Sequence, residues 1–307
     1  AAASARVLDK ILQKEVALEP IKASVNQELC SGCKICNGLC PFNAITFIED
    51  DEVSYINPAL CQGCGTCTTV CPSGALAFEY PRVVDVGVAI KAQLKAWRAA
   101  GGENPCLLFH SAEAGKKELT ALKRAGGKLP ANVIPVETWS IDAVGLDLML
   151  GAVALGACQV TLLGAGSHDL APLHKQAGLA QRILNGLGYA GDYVRIVAAA
   201  SDLPAAFADW PPAAAVPPAE FRLLAEKRTT LEFVVDHLLR HAPAAPEFIE
   251  LPAGAPFGNV TVSDACTLCM SCVGACPASA LKAAADAPRL SFLERNCLQC
   301  GLCAQTC

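Results

Sequence analysis

Between residues 82 and 200 the chain alternates short apolar runs with longer mixed ones. Residues 106–110 (CLLFH), 133–138, 160–163 and 193–198 have the length and composition of buried strands. Residues 83–99, 112–124, 141–155 and 170–186 are predicted helices, the first two closed by Gly101-Gly102 and Gly126-Gly127. Strands separated by helices argue for βαβ units around a parallel sheet. Right-handed crossovers then predict a three-layer α/β domain. Roughly 120 residues suffice for a core of its own.

The stretch 143–164 is apolar except for Asp147, Gln159 and Thr161, and is long enough to cross a bilayer. It lacks flanking Lys or Arg anchors. Ser140 is a plausible N-cap and Gly156 a plausible stop, so a buried helix followed by a buried strand is expected, with no membrane span. Residues 201–218 are rich in proline and alanine and predict a linker. An amphipathic helix is expected over 219–241 and an irregular hairpin over 251–262. Residues 1–20 predict a polar helix without a signal-peptide pattern. The expected organisation is an N-terminal helical segment (1–21), a small module (22–80), the α/β domain (82–200), a linker and helix (201–245) and a second small module (246–307). The chain starts at Ala1 rather than Met and ends on a motif cysteine, which suggests a subsequence of a longer protein.

The two small modules carry the chemistry. Sixteen of the eighteen cysteines form four copies of C-x-x-C-x-x-C-x-x-x-C. They are Cys30, Cys33, Cys36 and Cys40; Cys61, Cys64, Cys67 and Cys71; Cys266, Cys269, Cys272 and Cys276; and Cys297, Cys300, Cys303 and Cys307. Adding 236 to any cysteine number of the first two copies gives a cysteine of the last two, and Pro41, Ala44 and Gly65 recur as Pro277, Ala280 and Gly301. The modules are therefore an internal duplication. The spacing is the ligand run of a [4Fe–4S] cluster, in which three close thiolates wrap one cubane and the fourth cysteine serves its neighbour. Zinc sites space their C-x-x-C pairs further apart, and disulfides suit small secreted domains, so both are weaker readings of these cysteines. Four runs predict four [4Fe–4S] clusters. Modules near 60 residues need those clusters for much of their core, so the metal-free modules should be largely unfolded.

Each module resembles the bacterial-type two-cluster ferredoxins, a small α+β fold, over roughly residues 22–80 and 246–307. The resemblance implies crossed ligation. One cluster takes Cys30, Cys33, Cys36 and Cys71; the next takes Cys61, Cys64, Cys67 and Cys40. The third takes Cys266, Cys269, Cys272 and Cys307, and the fourth Cys297, Cys300, Cys303 and Cys276. The proline typical of that family after the last cysteine stands at Pro41, Pro72 and Pro277.

The central segment, above all residues 136–166, resembles the delta-subunit type found with methyl-viologen-reducing hydrogenases and heterodisulfide reductases. In that type the domain binds a [2Fe–2S] cluster. Here only Cys106 and Cys158 remain, and two thiols cannot supply four ligands, so a docking scaffold is expected and both cysteines are read as buried hydrophobes. Gly164-Ala165-Gly166 follows a strand and precedes a helix, but position 169 is Asp, so the dinucleotide fingerprint is incomplete and a tight turn is expected. His237 and His241 share a helix face, expected to be solvated rather than metal-binding. The acidic run Glu49, Asp50, Asp51 and Glu52 marks a hairpin tip or a partner-docking patch; at the matching positions of the second module only Asp286 is charged.

A formal net charge of −5 and no long Lys/Arg cluster exclude nucleic acid as the expected partner. Eighteen reduced cysteines imply a reducing compartment, or cluster assembly before any export, and a cytoplasmic setting is expected. The expectation is a relay of low-potential electrons through four [4Fe–4S] clusters between redox proteins, with formate dehydrogenase or hydrogenase subunits as candidate partners. The alternatives are an oxidoreductase with its own flavin or substrate site on the central domain, and a scaffold whose clusters are structural.

Overall fold

The structure, a computed structural model, describes residues 22–78, 81–244, 246–252 and 254–307. The helix expected over 1–20 lies outside the described residues. The N-terminal module contains β1 (Ala23–Val25), β2 (Ile45–Ile48), β3 (Val53–Ile56), α1 (Thr66–Val70) and β4 (Leu76–Phe78). β2 and β3 form an antiparallel hairpin whose tip is the acidic run, and β1 pairs antiparallel with β4.

The central domain follows with α2 (Val83–Ala99), β5 (Cys106–Ser111), α3 (Ala114–Arg124), β6 (Val133–Thr138), α4 (Leu146–Ala154), β7 (Gln159–Leu163), α5 (Leu170–Gly186), β8 (Val194–Val197) and α6 (Leu203–Ala208). Its four strands form one parallel sheet in the order β6-β5-β7-β8. The alternation of side chains along β5 divides the core. Leu107 and Phe109 face α2, α4 and α5, while Cys106 and Leu108 face α3 and α6. All four are fully buried, and each such Leu or Phe contributes about 1.5–3 kcal/mol of transfer free energy. α2 ends where Gly101 takes φ +79°, with Gly101 N–H bonding Arg98 O and Gly102 N–H bonding Trp97 O.

Four expectations change in detail. The helix expected over 141–155 breaks: a 3-10 turn spans Ile141–Ala143, capped by Ser140, and the α-helix begins only at Leu146. The break falls at Gly145, which is extended, and a Cβ there would lie 3.3 Å from Thr69 of the N-terminal module. Residues 201–218 are not a free linker. They include α6, and Phe207, Trp210, Ala213 and Val216 are buried against the sheet. Gln159 Nε2 donates to Trp210 O, and Tyr193 Oη to Ala214 O. The helix expected over 219–241 is α7 (Lys227–Arg240) alone, because residues before it pack as irregular chain, with Leu223 buried and Ala219 N–H bonded to Ala154 O. Among the described residues, 251–262 contains no strand; Pro252 and Pro256 interrupt it.

The C-terminal module contains α8 (Ser271–Gly274), β9 (Leu281–Ala283), β10 (Leu290–Phe292) and α9 (Leu302–Thr306), with β9 and β10 antiparallel. α9 is α1 displaced by 236 residues, so the duplication is structural as well as sequential. Among the described residues no helix is long and apolar enough to cross a membrane; the 143–164 stretch divides into α4 and β7 at Gly156, φ +101°.

Candidate metal centres

The cysteine runs curl because residues between the cysteines adopt left-handed backbone. Gly32, Lys34, Gly63 and Gly65 have φ between +58° and +92°. Their counterparts 236 residues on, Leu268, Met270, Gln299 and Gly301, have φ between +53° and +78°. Non-glycine residues pay about 1–2 kcal/mol each for this conformation, a local strain typical of functional loops.

The curled loops of the N-terminal module form two pockets. Cys30, Cys33, Cys36 and Cys71 line one, together with Val25 and Leu76. Cys40, Cys61, Cys64 and Cys67 line the other, with Ile45 and Ile56. The fourth cysteine of each run is therefore found with the other run. In the C-terminal module Cys272 senses the charges of Cys307, Cys269 and Cys303, and Cys297 those of Cys300, Cys303 and Cys276. Cys266, Cys269 and Cys307 are exposed, whereas Cys36, Cys61 and Cys71 are buried.

The electrostatics suit a cationic inorganic group. Burial drives the Cys67 thiol well above the usual range, and the neighbouring Cys64, Cys61, Cys36 and Cys40 add to it. Burial also raises Cys36 and Cys64. Four thiolates in one apolar cavity repel each other until a metal group neutralises them. Four cysteines line each of the two spaces, which is the thiolate count that a [4Fe–4S] cluster takes.

Polar contacts to sulfur occur in both modules. Ala44 N–H points at Cys40 Sγ, 3.3 Å, and its repeat counterpart Ala280 N–H at Cys276 Sγ, 3.2 Å. Ser54 Oγ lies 3.3 Å from Cys36 Sγ and is 2% exposed. Residue 54 carries no sequence signal: it is one small polar residue in a short strand, and position 290 of the second module is Leu.

The N-terminal module sits on the carboxyl ends of the parallel strands. A Cβ at Gly65 would lie 2.6 Å from Ala143 Cβ. Lys227, at the start of α7, donates through Nζ to Thr68 O (3.1 Å) and to Thr69 O. Burial pulls this ammonium below the usual lysine range, while the nearby Asp147 and Cys71 pull it back up. Asp142, buried beside the turn after β7, accepts from Ser167 Oγ (2.5 Å) and His168 N–H (3.2 Å). Ser111 Oγ donates to Ala165 O. Cys106 and Cys158 are fully buried, as expected. The His237 and His241 rings meet tilted at 57° with centroids 4.7 Å apart, and His237 Nε2 lies 2.7 Å from Pro217 O.

Comparison with known proteins finds a family match in each module. Residues 29–75 and residues 259–307 each match a family model described as a 4Fe-4S dicluster domain. A 49-residue stretch is 45% identical to a subunit of the H(2)/formate:CoB-CoM heterodisulfide,ferredoxin reductase of Methanococcus maripaludis, covering 16% of this chain and 7% of that protein. Over 50 residues, 16% of this chain and 8% of the relative, the identity is 47% to an iron-sulfur subunit of the CoB–CoM heterodisulfide reductase of Methanopyrus kandleri. Over 51 residues, 17% and 7%, it is 46% to a heterodisulfide reductase subunit-like protein of Archaeoglobus profundus. The matched stretch spans less than a tenth of each of these relatives. With cavities and motifs in agreement, the chain carries two 4Fe-4S dicluster ferredoxin domains, one towards each end, and with them four [4Fe–4S] clusters.

Proposed function

We propose that the chain relays low-potential electrons, one per cluster, between redox proteins. The observation that carries this reading is the exchange of Cys40 and Cys71 between the two thiol-lined cavities, which sets two sites side by side in one module. Cys30, Cys33, Cys36 and Cys71 would hold one cluster, and Cys40, Cys61, Cys64 and Cys67 its neighbour. Cys266, Cys269, Cys272 and Cys307 would hold the third, and Cys297, Cys300, Cys303 and Cys276 the fourth. When bound, each cluster supplies one-electron oxidation and reduction. The protein's part is to fix the spacing of the sites, exclude water from the first two and direct hydrogen bonds at their sulfurs.

The division of the chain at residues 1–21, 22–80, 82–200, 201–245 and 246–307 belongs to the same reading, as does a cytoplasmic setting. The names of the matched relatives couple H(2) or formate with the CoB-CoM heterodisulfide and ferredoxin. They support a dehydrogenase- or hydrogenase-type donor, formate dehydrogenase or hydrogenase subunits being the candidates. The central domain serves as the scaffold on which the first module docks.

Against a nucleotide or flavin phosphate at residues 164–168 stands Asp142. Its carboxylate already takes the Ser167 hydroxyl and the His168 N–H that an anion would need.

Two measurements test the relay. Anaerobic reductive titration should take up one electron per cluster. Cys71→Ala should abolish the same paramagnetic signal as Cys33→Ala, and Cys40→Ala the same as Cys64→Ala. A Cys71→Ala protein that instead loses the signal dependent on Cys64 would refute the ligand sets.

A further inference from the structure

α7 begins with two cations, Lys227 and Arg228. The amino end of a helix carries partial positive charge, so this is an unfavourable place for either. Both are held by groups outside their helix. Lys227 is 8% exposed and reaches the carbonyls of Thr68 and Thr69 in α1, the helix that carries Cys67 and is capped by Cys71. Its stem packs on Gly74, where a Cβ would come within 2.9 Å of Lys227 Cβ. Arg228 points to the other module. Its guanidinium donates to Pro256 O and Arg295 O and lies over the Phe257 ring, 5.4 Å from the centroid. Arg295 stands two residues before Cys297, and Cys297 is among the charges acting on Arg228. Gly258, next to Phe257, approaches the same thiol: a Cβ there would lie 2.8 Å from Cys297 Sγ.

Consecutive residues thus grip the two dicluster modules, their Cα atoms about 3.8 Å apart. We propose that Lys227 and Arg228 are positioning residues that join the modules into one four-cluster path, with the Cys71 site and the Cys297 site as its facing inner pair, and that each cation raises the potential of the site it touches. The inference rests on the relay reading above. An electron lost on one side of the junction is gained on the other, with no bond or proton changing place. A positive charge beside a site favours the state with the added electron, so both inner sites become easier to reduce.

The test uses the full-length holoprotein, titrated anaerobically while its paramagnetic signals are followed. Lys227→Met should move one midpoint to more negative potential. Arg228→Met should move a different one, and Arg228→Lys should restore it. Iron content should stay at the wild-type value. No movement, or movement of the same midpoint in both variants, would overturn the proposal. A wild-type protein whose clusters take up no electrons would instead refute the relay itself. If the variants lose iron, a second measurement decides. In a protein with both Cys297 and Cys300 replaced by Ala, spin relaxation of the N-terminal signals should slow, because a facing paramagnet has gone. Unchanged relaxation would mean that the modules do not face each other at this junction.

Discussion

The rings of Phe42 and His168 meet edge to face, with centroids 5.1 Å apart and planes at 85°. Phe42 follows Cys40 by two residues and lines the second thiol cavity, while His168 stands on the turn after β7. One side chain therefore touches both a cluster site and the scaffold. Replacing Phe42 with Ala removes an aromatic pair worth about 0.5–1.5 kcal/mol beyond its buried area. The variant should lose its visible cluster absorbance at a lower urea concentration than wild type. An unchanged bleaching midpoint would mean that this contact does not couple cluster site and scaffold.

Gly65 and Gly301 occupy the same place in the repeat and both have positive φ, +92° and +78°. Their surroundings differ. A Cβ at Gly65 would come within 2.8 Å of Ala143 and Phe78, whereas one at Gly301 meets nothing within 4 Å. Alanine at either position incurs the left-handed penalty of about 1–2 kcal/mol. At position 65 it must also push the N-terminal module off the sheet. Gly65→Ala should therefore lower iron content and thermal stability clearly more than Gly301→Ala. Equal effects would mean that module docking contributes nothing to cluster retention.

Cys36 and Ser54 provide a potential-tuning contact that the second module lacks. A cysteine bound to iron has no proton, so only the Ser54 hydroxyl can donate across the 3.3 Å to Cys36 Sγ, and its one proton has Asn37 Oδ1, also 3.3 Å away, as the competing acceptor. A hydrogen bond to ligand sulfur stabilises the more negative, reduced state. Ser54→Ala should shift one midpoint to more negative potential and leave the C-terminal module unchanged, as read by redox titration of the paramagnetic signals. A shift in the opposite direction would exclude Ser54 as donor.

The parts of this chain written in local pattern were legible without coordinates. α2, β6 and α5 fall where the alternation of apolar runs and glycine stops puts them, because each is long or is bounded by a strong terminator. The cysteine runs were equally plain, since ligand spacing is a covalent property of the chain. What escaped was set by partners distant in sequence. Helix 141–155 breaks at Gly145 because Thr69 packs there, and no local rule announces a neighbour 76 positions earlier. Residues 201–218 looked like a linker by composition, yet Phe207 and Trp210 close one face of the sheet. Lys227 was hidden within an amphipathic pattern. With the helix expected to start at 219, position 227 fell in its interior, and only the structure puts this cation at a helix start, where the dipole disfavours one.

Cys106 and Cys158 lie outside the four cysteine runs, and their buried setting makes them inert. Burial pushes the Cys106 thiol up to about 12, with Thr161 lowering it only in part, and pushes Cys158 up to about 11. The thiolate is the nucleophile, so at pH 9 its fraction is about a thousandth for Cys106 and about a hundredth for Cys158. On the ligation proposed above, which engages the other sixteen cysteines with iron, native anaerobic holoprotein should take up essentially no iodoacetamide at pH 9, and both thiols should label after denaturation. The same shifts set a pH dependence. The unfolded thiols ionise near their ordinary value of about 8.5 while the folded ones keep their protons. Unfolding above that pH therefore releases protons, and the stability contributed by the two buried thiols, fully present below it, falls as pH rises. The urea midpoint of the central domain should be lower at pH 10 than at pH 7, and replacing both cysteines with Ala should reduce that difference. Rapid labelling of either cysteine in the native protein would show that its strand opens to solvent, contrary to the packing around β5 and β7.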